Sequence, residues 1–442
     1  MGIFLPIPIW PSVLIGQLVK SLMRIDVDAK LGVPTDIIDT RFDADQPAEN
    51  KFIVGTSKGY ILRYVIYASS NAALCEQQWR PGKGSIRKIC LLSPTILLVA
   101  NTSGKIRILE LDENKTPNSF LLKCSLELGV VSSLAVSEAD KNVLYLGNDE
   151  GDIHICRIAL KEGELSVLKS FDHHDDYISS LLHVAAKKTL LATSGDGSLA
   201  VIDLKKNKVK ATSKNFEADV TALATIPSAA KVFVGLGSGE IKVLKWNYWG
   251  APCDSLKARF HNHASINDML LIEGRGSTQV LISASDDGVI RLMPAMPLSA
   301  SVEVTQINDS VERLAWIPET IDKEILGELG TLAAIPAGEA AIYLYRITQE
   351  LVNSLLARIN SSTDTGGSSS KTDEEEEEDE EDEEEEEKQE KEEEDKSPNT
   401  SLKKPSEEND DDQRYSSVAA RKHKRATTSS GLRARSFLED LD

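Results

Sequence analysis

The strongest constraint on this chain is a hairpin written seven times between residues 50 and 347. In each copy an apolar run enters a short polar turn that ends in glycine, and an alternating apolar strand follows. The first copy reads Phe52-Ile-Val-Gly-Thr-Ser-Lys-Gly59-Tyr-Ile-Leu-Arg-Tyr64, and the sixth Leu281-Ile-Ser-Ala-Ser-Asp-Asp-Gly288-Val-Ile-Arg-Leu292. The aligned glycines are Gly59, Gly104, Gly151, Gly197, Gly239 and Gly288, with a degenerate seventh at Gly338, spaced 45, 47, 46, 42, 49 and 50 residues apart. A glycine there supplies the positive φ of a tight turn, and neighbouring Asp, Asn and Ser bond back to the turn backbone. Alternation with period two afterwards puts one face of the strand in a core.

A second short strand precedes each hairpin, at Ile37, Ile86, Val130, Tyr177, Val220, Ile266 and Val311. About four strands in a unit of 40–50 residues is a propeller blade, and a helical solenoid of that period would not be built from short, β-branched, Gly-punctuated runs. The expected fold is therefore all-β: a seven-bladed β-propeller over residues 30–347. The fourth strand of the last blade has to come from elsewhere, and residues around Val19–Val27 can supply it. Residues 1–29 read as an apolar extension. They lack the basic n-region and cleavage site of a signal peptide, and Pro6, Pro8 and Pro11 argue against a membrane helix.

Beyond the propeller, Thr348–Ile359 has Leu351, Val352, Leu355, Leu356 and Ile359 at helical spacing, which predicts a short amphipathic helix (348–360) packed on the rim. Residues 361–442 show no apolar periodicity and read as a disordered tail. The formal net charge of −20 resides mainly there: Asp373–Asp395 holds 20 acidic residues against Lys388 and Lys391, leaving 50 acidic and 48 basic residues elsewhere. That run suits basic protein partners. The cluster Arg421, Lys422, Lys424 and Arg425 around His423 suits nuclear import or nucleic-acid contact.

Few residues suggest reactive chemistry. The five cysteines are widely spaced without C-x-x-C, so neither a disulfide framework nor a zinc site is expected. Gly82-Lys-Gly-Ser85 lacks the full phosphate-loop spacing. His173-His-Asp-Asp176 holds metal-ligand residue types, but a second arrangement explains it better. In WD-type blades a His before the inner strand pairs with an Asp in the hairpin turn. His174 lies 22 residues before Asp196, which suits that role, and His263 before Ile266, with Asp287 in the later turn, repeats the arrangement. No convergent catalytic set, cofactor motif or small-molecule site emerges, so a non-enzymatic protein is expected.

Three stretches, Asp172–Ile178 with Leu190–Gly197, Gly235–Ile241 leading to Trp246-Asn-Tyr-Trp-Gly250, and Ser285–Arg291, resemble the WD repeat-containing protein 55 family. So does the C-terminal Arg433-Ala-Arg-Ser-Phe-Leu-Glu-Asp-Leu-Asp442. The resemblance implies a scaffold of the nucleus and nucleolus, with the cytoplasm open as a further location. It also implies a role in ribosomal RNA processing and large-subunit biogenesis, with proteins of pre-ribosomal particles as partners. Whether precursor RNA is touched directly stays open. Two alternatives are a substrate receptor of a cullin-4 type ubiquitin ligase and a histone-binding propeller. The ligase motif of such proteins, Trp-Asp-x-Arg, is here Ile202-Asp-Leu-Lys205, without its Trp and Arg.

Overall fold

A computed structural model describes residues 21–40, 51–67, 72–111, 118–124, 128–250, 252, 258–259, 263–273, 279–296, 301–318 and 328–363. The chain divides into two units, 1–367 and 368–442. The second unit, with the acidic run and the cluster from Arg421 to Arg425, lies outside the described residues, as do residues 1–20 and Cys253.

The first unit is a closed seven-bladed β-propeller. Six blades run outward from an inner strand through three antiparallel neighbours, and the third blade adds a short outermost strand, Lys123–Cys124, that pairs parallel with Glu164–Asp172. The inner strands are Pro34–Asp39, Ile86–Ser93, Val131–Val136, Ile178–Val184, Val220–Ile226 and Ile266–Glu273, and Val311–Pro318 is that of the seventh blade. Each inner strand touches the next around the ring, and the seventh touches the first. The seventh blade takes its outer strand from Ser21–Asp26, which pairs antiparallel with Ala341–Thr348, Ile25 opposite Ile342. The ring therefore begins at Ser21, inside the segment read as an extension, and not at residue 30. Ile25 and Val27 anchor it there, because both are buried against Ile342 and Leu344.

The core is radial. Among the described residues, seven apolar clusters each fill the gap between two neighbouring blades, for instance Phe52, Val54 and Leu62 against Ala333, Ile335 and Leu344. This follows from the sequence: the strands after each glycine bury both faces, so core forms on either side of every blade. The six aligned glycines all have positive φ, from 71° at Gly104 to 93° at Gly151. At Gly288 there is a second reason for glycine. A Cβ there would sit against the carbonyls of Ile307 and Asp309, which lead into the next blade. The turn is thus a seat for the following inter-blade loop as well as a reversal.

Helix α1, Gln349–Thr363, follows the last strand directly. The hydroxyl of Thr348 accepts the N–H of Leu351 (3.3 Å), a helix cap, and Leu351, Val352 and Leu355 are buried in the cluster between blades six and seven. Leu356 packs partly buried against the same cluster.

Candidate functional site

All seven inner strands carry a β-bulge at the same place. The ladder slips by one residue between Pro34 and Asp36, Ile86 and Lys88, Val131 and Ser133, Ile178 and Ser180, Val220 and Ala222, Ile266 and Asp268, and Val311 and Arg313. A bulge leaves one residue unpaired and re-aims its side chain. Here the skipped residues are all polar: Thr35, Arg87, Ser132, Ser179, Thr221, Asn267 and Glu312. Six of them, with Lys88, Tyr177 and Arg313, line a cavity of about 200 Å³ where the inner strands converge.

Several of these side chains tie one blade to the next. Thr35 Oγ1 donates to the Ile86 carbonyl (2.7 Å), Ser132 Oγ to Ile178 (2.7 Å) and Asn267 Nδ2 to Val311 (3.2 Å); Thr221 Oγ1 donates to Ile266. The carboxylates one place further on do the same with N–H groups. Asp36 Oδ2 accepts from Ile89 (2.8 Å), and Asp268 Oδ2 from Leu314 (2.9 Å). Asp36 also lies 4.0 Å from Lys88 Nζ and 3.9 Å from Arg313 Nε, so it bridges blades one, two and seven. Burial, with repulsion from Arg313, lowers the Lys88 ammonium to about 8. Burial raises the carboxyls of Asp268 and Glu312, with Arg313 pulling both the other way. The result is a rigid, mixed-charge mouth whose backbone-facing donors are already used. Such a surface can recognise a partner by pattern of charge.

The His–Asp arrangement forms in one of its two places. His174 Nδ1 is 2.9 Å from Asp196 Oδ2 and 3.1 Å from Ser198 Oγ, while Ser198 Oγ donates to Asp196 Oδ1 (2.6 Å). His, Asp and Ser thus meet, but not as a nucleophilic relay. A relay needs the carboxylate on one ring nitrogen and the hydroxyl on the other. Here both share Nδ1, and Nε2 is buried without a hydrogen-bond partner. The second pair does not assemble. His263 is exposed in a positive-φ turn (71°), and Asp287 instead receives Ser285 Oγ, the Val289 N–H (2.9 Å) and Arg291 (3.4 Å). His263 stands three residues before its inner strand at Ile266, where His174 stands four before Ile178, so it is out of register with the turn that holds Asp287. His173 bonds Thr212 (2.9 Å), and among the described residues no group of three or more His, Cys, Asp and Glu side chains is placed to hold a metal. Gly82 to Ser85 form part of an inter-blade loop, whose Lys83 carbonyl accepts from Asn101 Nδ2 (3.0 Å).

Burial pushes the His174 imidazole below its ordinary 6.5, against the pull of Asp196. The unfolded chain then takes up a proton near pH 6.5 that the folded chain refuses, so stability from this site is present above that pH and shrinks below it. His174→Asn is expected to cost about 1–2 kcal/mol at pH 7.5, through lost packing and a weakened bond to Asp196. The wild-type advantage should narrow towards pH 5. Urea unfolding of both proteins across that range checks this, and a constant difference would exclude it.

No family model matches the chain. It is 33% identical over 177 residues to WD repeat-containing protein 55 of Rattus norvegicus, covering 40% of this chain and 43% of that protein. It is 30% identical over 199 residues to WD repeat-containing protein JIP5 of Coprinopsis cinerea, covering 42% and 47%. With WD repeat-containing protein 55 of Arabidopsis thaliana the identity is 24% over 320 residues, covering 72% of this chain and 83% of that one. The matches thus span less than half the length of the rat and fungal relatives and most of the plant one. Homologues of this chain in animals and plants thus include WD repeat-containing protein 55, the family that its fourth to sixth blades resemble, and those in fungi include proteins named JIP5.

Proposed function

We propose that this chain is a non-enzymatic scaffold of the nucleolus, acting in ribosomal RNA processing and large-subunit biogenesis. The observation that carries the reading is the similarity to WD repeat-containing protein 55 in animals and plants, joined to a closed WD-repeat propeller. The geometry supports a docking role. Seven bulged strands present one polar ring, and inter-blade hydrogen bonds hold that ring without a ligand's help. A preformed surface loses little entropy on binding. Proteins of pre-ribosomal particles are the partners this reading names for the ring, and basic proteins those for the acidic run.

Affinity purification of the full chain from nuclear extract, with mass spectrometry and RNA blotting of the eluate, tests the proposal. Large-subunit proteins, assembly factors and precursor ribosomal RNA should be enriched. Ligase adaptor or histones in their place would overturn it. Charge reversal at the ring, Arg87→Glu with Glu312→Lys, should reduce particle recovery several-fold while the melting temperature stays within a few degrees.

A further inference from the structure

The end of the propeller opposite the glycine turns carries a basic patch on blades four and five. Three turns meet there. The first joins the two inner strands of blade four and contains Lys187 and Lys188; the second joins its two outer strands and contains Lys205 and Lys206, with Lys208 opening the outer strand beyond it; the third follows the strand Glu240–Lys245 of blade five. Contacts bring them together. The Leu204 N–H donates to the Lys188 carbonyl (3.0 Å), Lys187 Nζ stands 5.8 Å from the Trp246 ring, and Lys210 Nζ reaches Asn247 Oδ1 (3.5 Å). These six lysines and Lys245 are exposed. The one acidic residue among positions 185–188, 203–210 and 245–249 is Asp203, whose carboxylate is held low by the backbone N–H groups of Lys206 and Lys205. Lys206 and Lys210 add a coulombic pull, and the seven lysines outnumber this one carboxylate.

An aromatic ring is displayed in the same patch. Trp246 and Trp249 are buried and meet edge to face at 5.2 Å, and they anchor the turn between them. The residue so presented, Tyr248, is 54% exposed, with Lys245 Nζ 5.1 Å from its ring. The buried tryptophan on either side of it holds the turn that displays the ring.

We infer that this patch binds the phosphodiester backbone of single-stranded nucleic acid, with Tyr248 as a stacking platform for an unpaired base. Lysines track phosphates without reading sequence, and an exposed aromatic among them adds the base contact that a purely acidic peptide could not use. The single strand is favoured over a duplex because only unpaired bases offer a face to Tyr248. The inference goes beyond the scaffold reading and is independent of it, since binding by the purified chain requires no pre-ribosomal particle.

The test is fluorescence anisotropy of the full chain with labelled 20-nucleotide oligouridine and oligodeoxythymidine, from 50 to 200 mM salt. Three variants are compared: Lys205→Glu/Lys206→Glu/Lys208→Glu, Tyr248→Ala, and a control reversal at the opposite end, Lys58→Glu/Lys83→Glu/Lys105→Glu. Loss of three phosphate contacts should lower the slope of log affinity against log salt by about 2. Tyr248→Ala should weaken binding about tenfold. The control should keep most of the affinity. All substituted lysines are exposed, and a thermal melt verifies folding. Tighter binding of the RNA names RNA as the natural strand, and equal binding assigns the site to either. The inference is overturned if both reversals weaken binding alike, or if no oligonucleotide binds at 50 mM salt. It is also overturned if oligonucleotide affinity ignores the patch while a peptide of residues 373–395 depends on it.

Discussion

Removing residues 1–27 is expected to destabilise the propeller by at least about 4 kcal/mol and to leave it self-associating. Ile25 and Val27 are buried against the last strand of blade seven and the first hairpin, and burying two such side chains stabilises a fold by about 3–6 kcal/mol. The strand Ser21–Asp26 also supplies the outer ladder of that blade, extended by the Val27 N–H donating to the Ala340 carbonyl (2.7 Å). Without it, Ala341–Thr348 becomes an uncovered edge, a template for pairing with another copy. Thermal unfolding should shift downward and size-exclusion chromatography should show oligomers. Removal of 1–20 alone is the control, because it leaves every pairing of Ser21–Asp26 in place. Ile25→Asp should reproduce most of the loss. A monomer with an unchanged melting temperature would show that the ring does not depend on this closure.

The blades themselves were legible because their determinants are local. A glycine at positive φ and an apolar alternation after it are written within a dozen residues, and seven copies reinforce one another. The closing strand was legible for a different reason. A seventh blade with three strands is incomplete, and only the N-terminal apolar segment stood ready to finish it. Local spacing failed at His263. It lies one residue nearer its inner strand than His174 does, and a pairing across two loops is lost by a shift of one residue. The bulged ring was missed although its signal is visible. Thr35-Asp36, Arg87-Lys88, Ser132-Ser133, Ser179-Ser180, Asn267-Asp268 and Glu312-Arg313 put two polar residues together near the start of strands that are otherwise apolar. A strand of period two has no place for adjacent polar residues on one face, so the pair signals a slipped register. What Thr35, Asp36, Ser132, Thr221, Asn267 and Asp268 hold across the blades could not be read in advance, because those partners lie 44–53 residues away.

That inter-blade wiring makes Asp36 the residue whose loss should cost most among single substitutions in the ring. It is 6% exposed, accepts the Ile89 N–H, and lies between Lys88 and Arg313. Asp36→Ala would leave a buried N–H without its acceptor and two cations without their shared counter-ion. Breaking a buried ion pair from one side costs about 3–5 kcal/mol. Asp36→Asn keeps an acceptor for Ile89 and should cost less. Adding Lys88→Met to Asp36→Asn should recover part of the remainder, since it removes a buried cation left with the weaker pull of Asp268 alone. The pH dependence separates this account from simple loss of packing. Lys88 titrates at about 8 in the folded chain against 10.5 when unfolded. Between those values the unfolded chain holds the proton that the folded chain has released, so Lys88 makes wild-type stability rise with pH across that window, by up to about 3 kcal/mol. The difference in unfolding free energy between wild type and Lys88→Met should therefore move in favour of the wild type from pH 8 to pH 10. If it stays flat, Lys88 is solvated in the folded state, and the ring would be a looser structure than its distances imply.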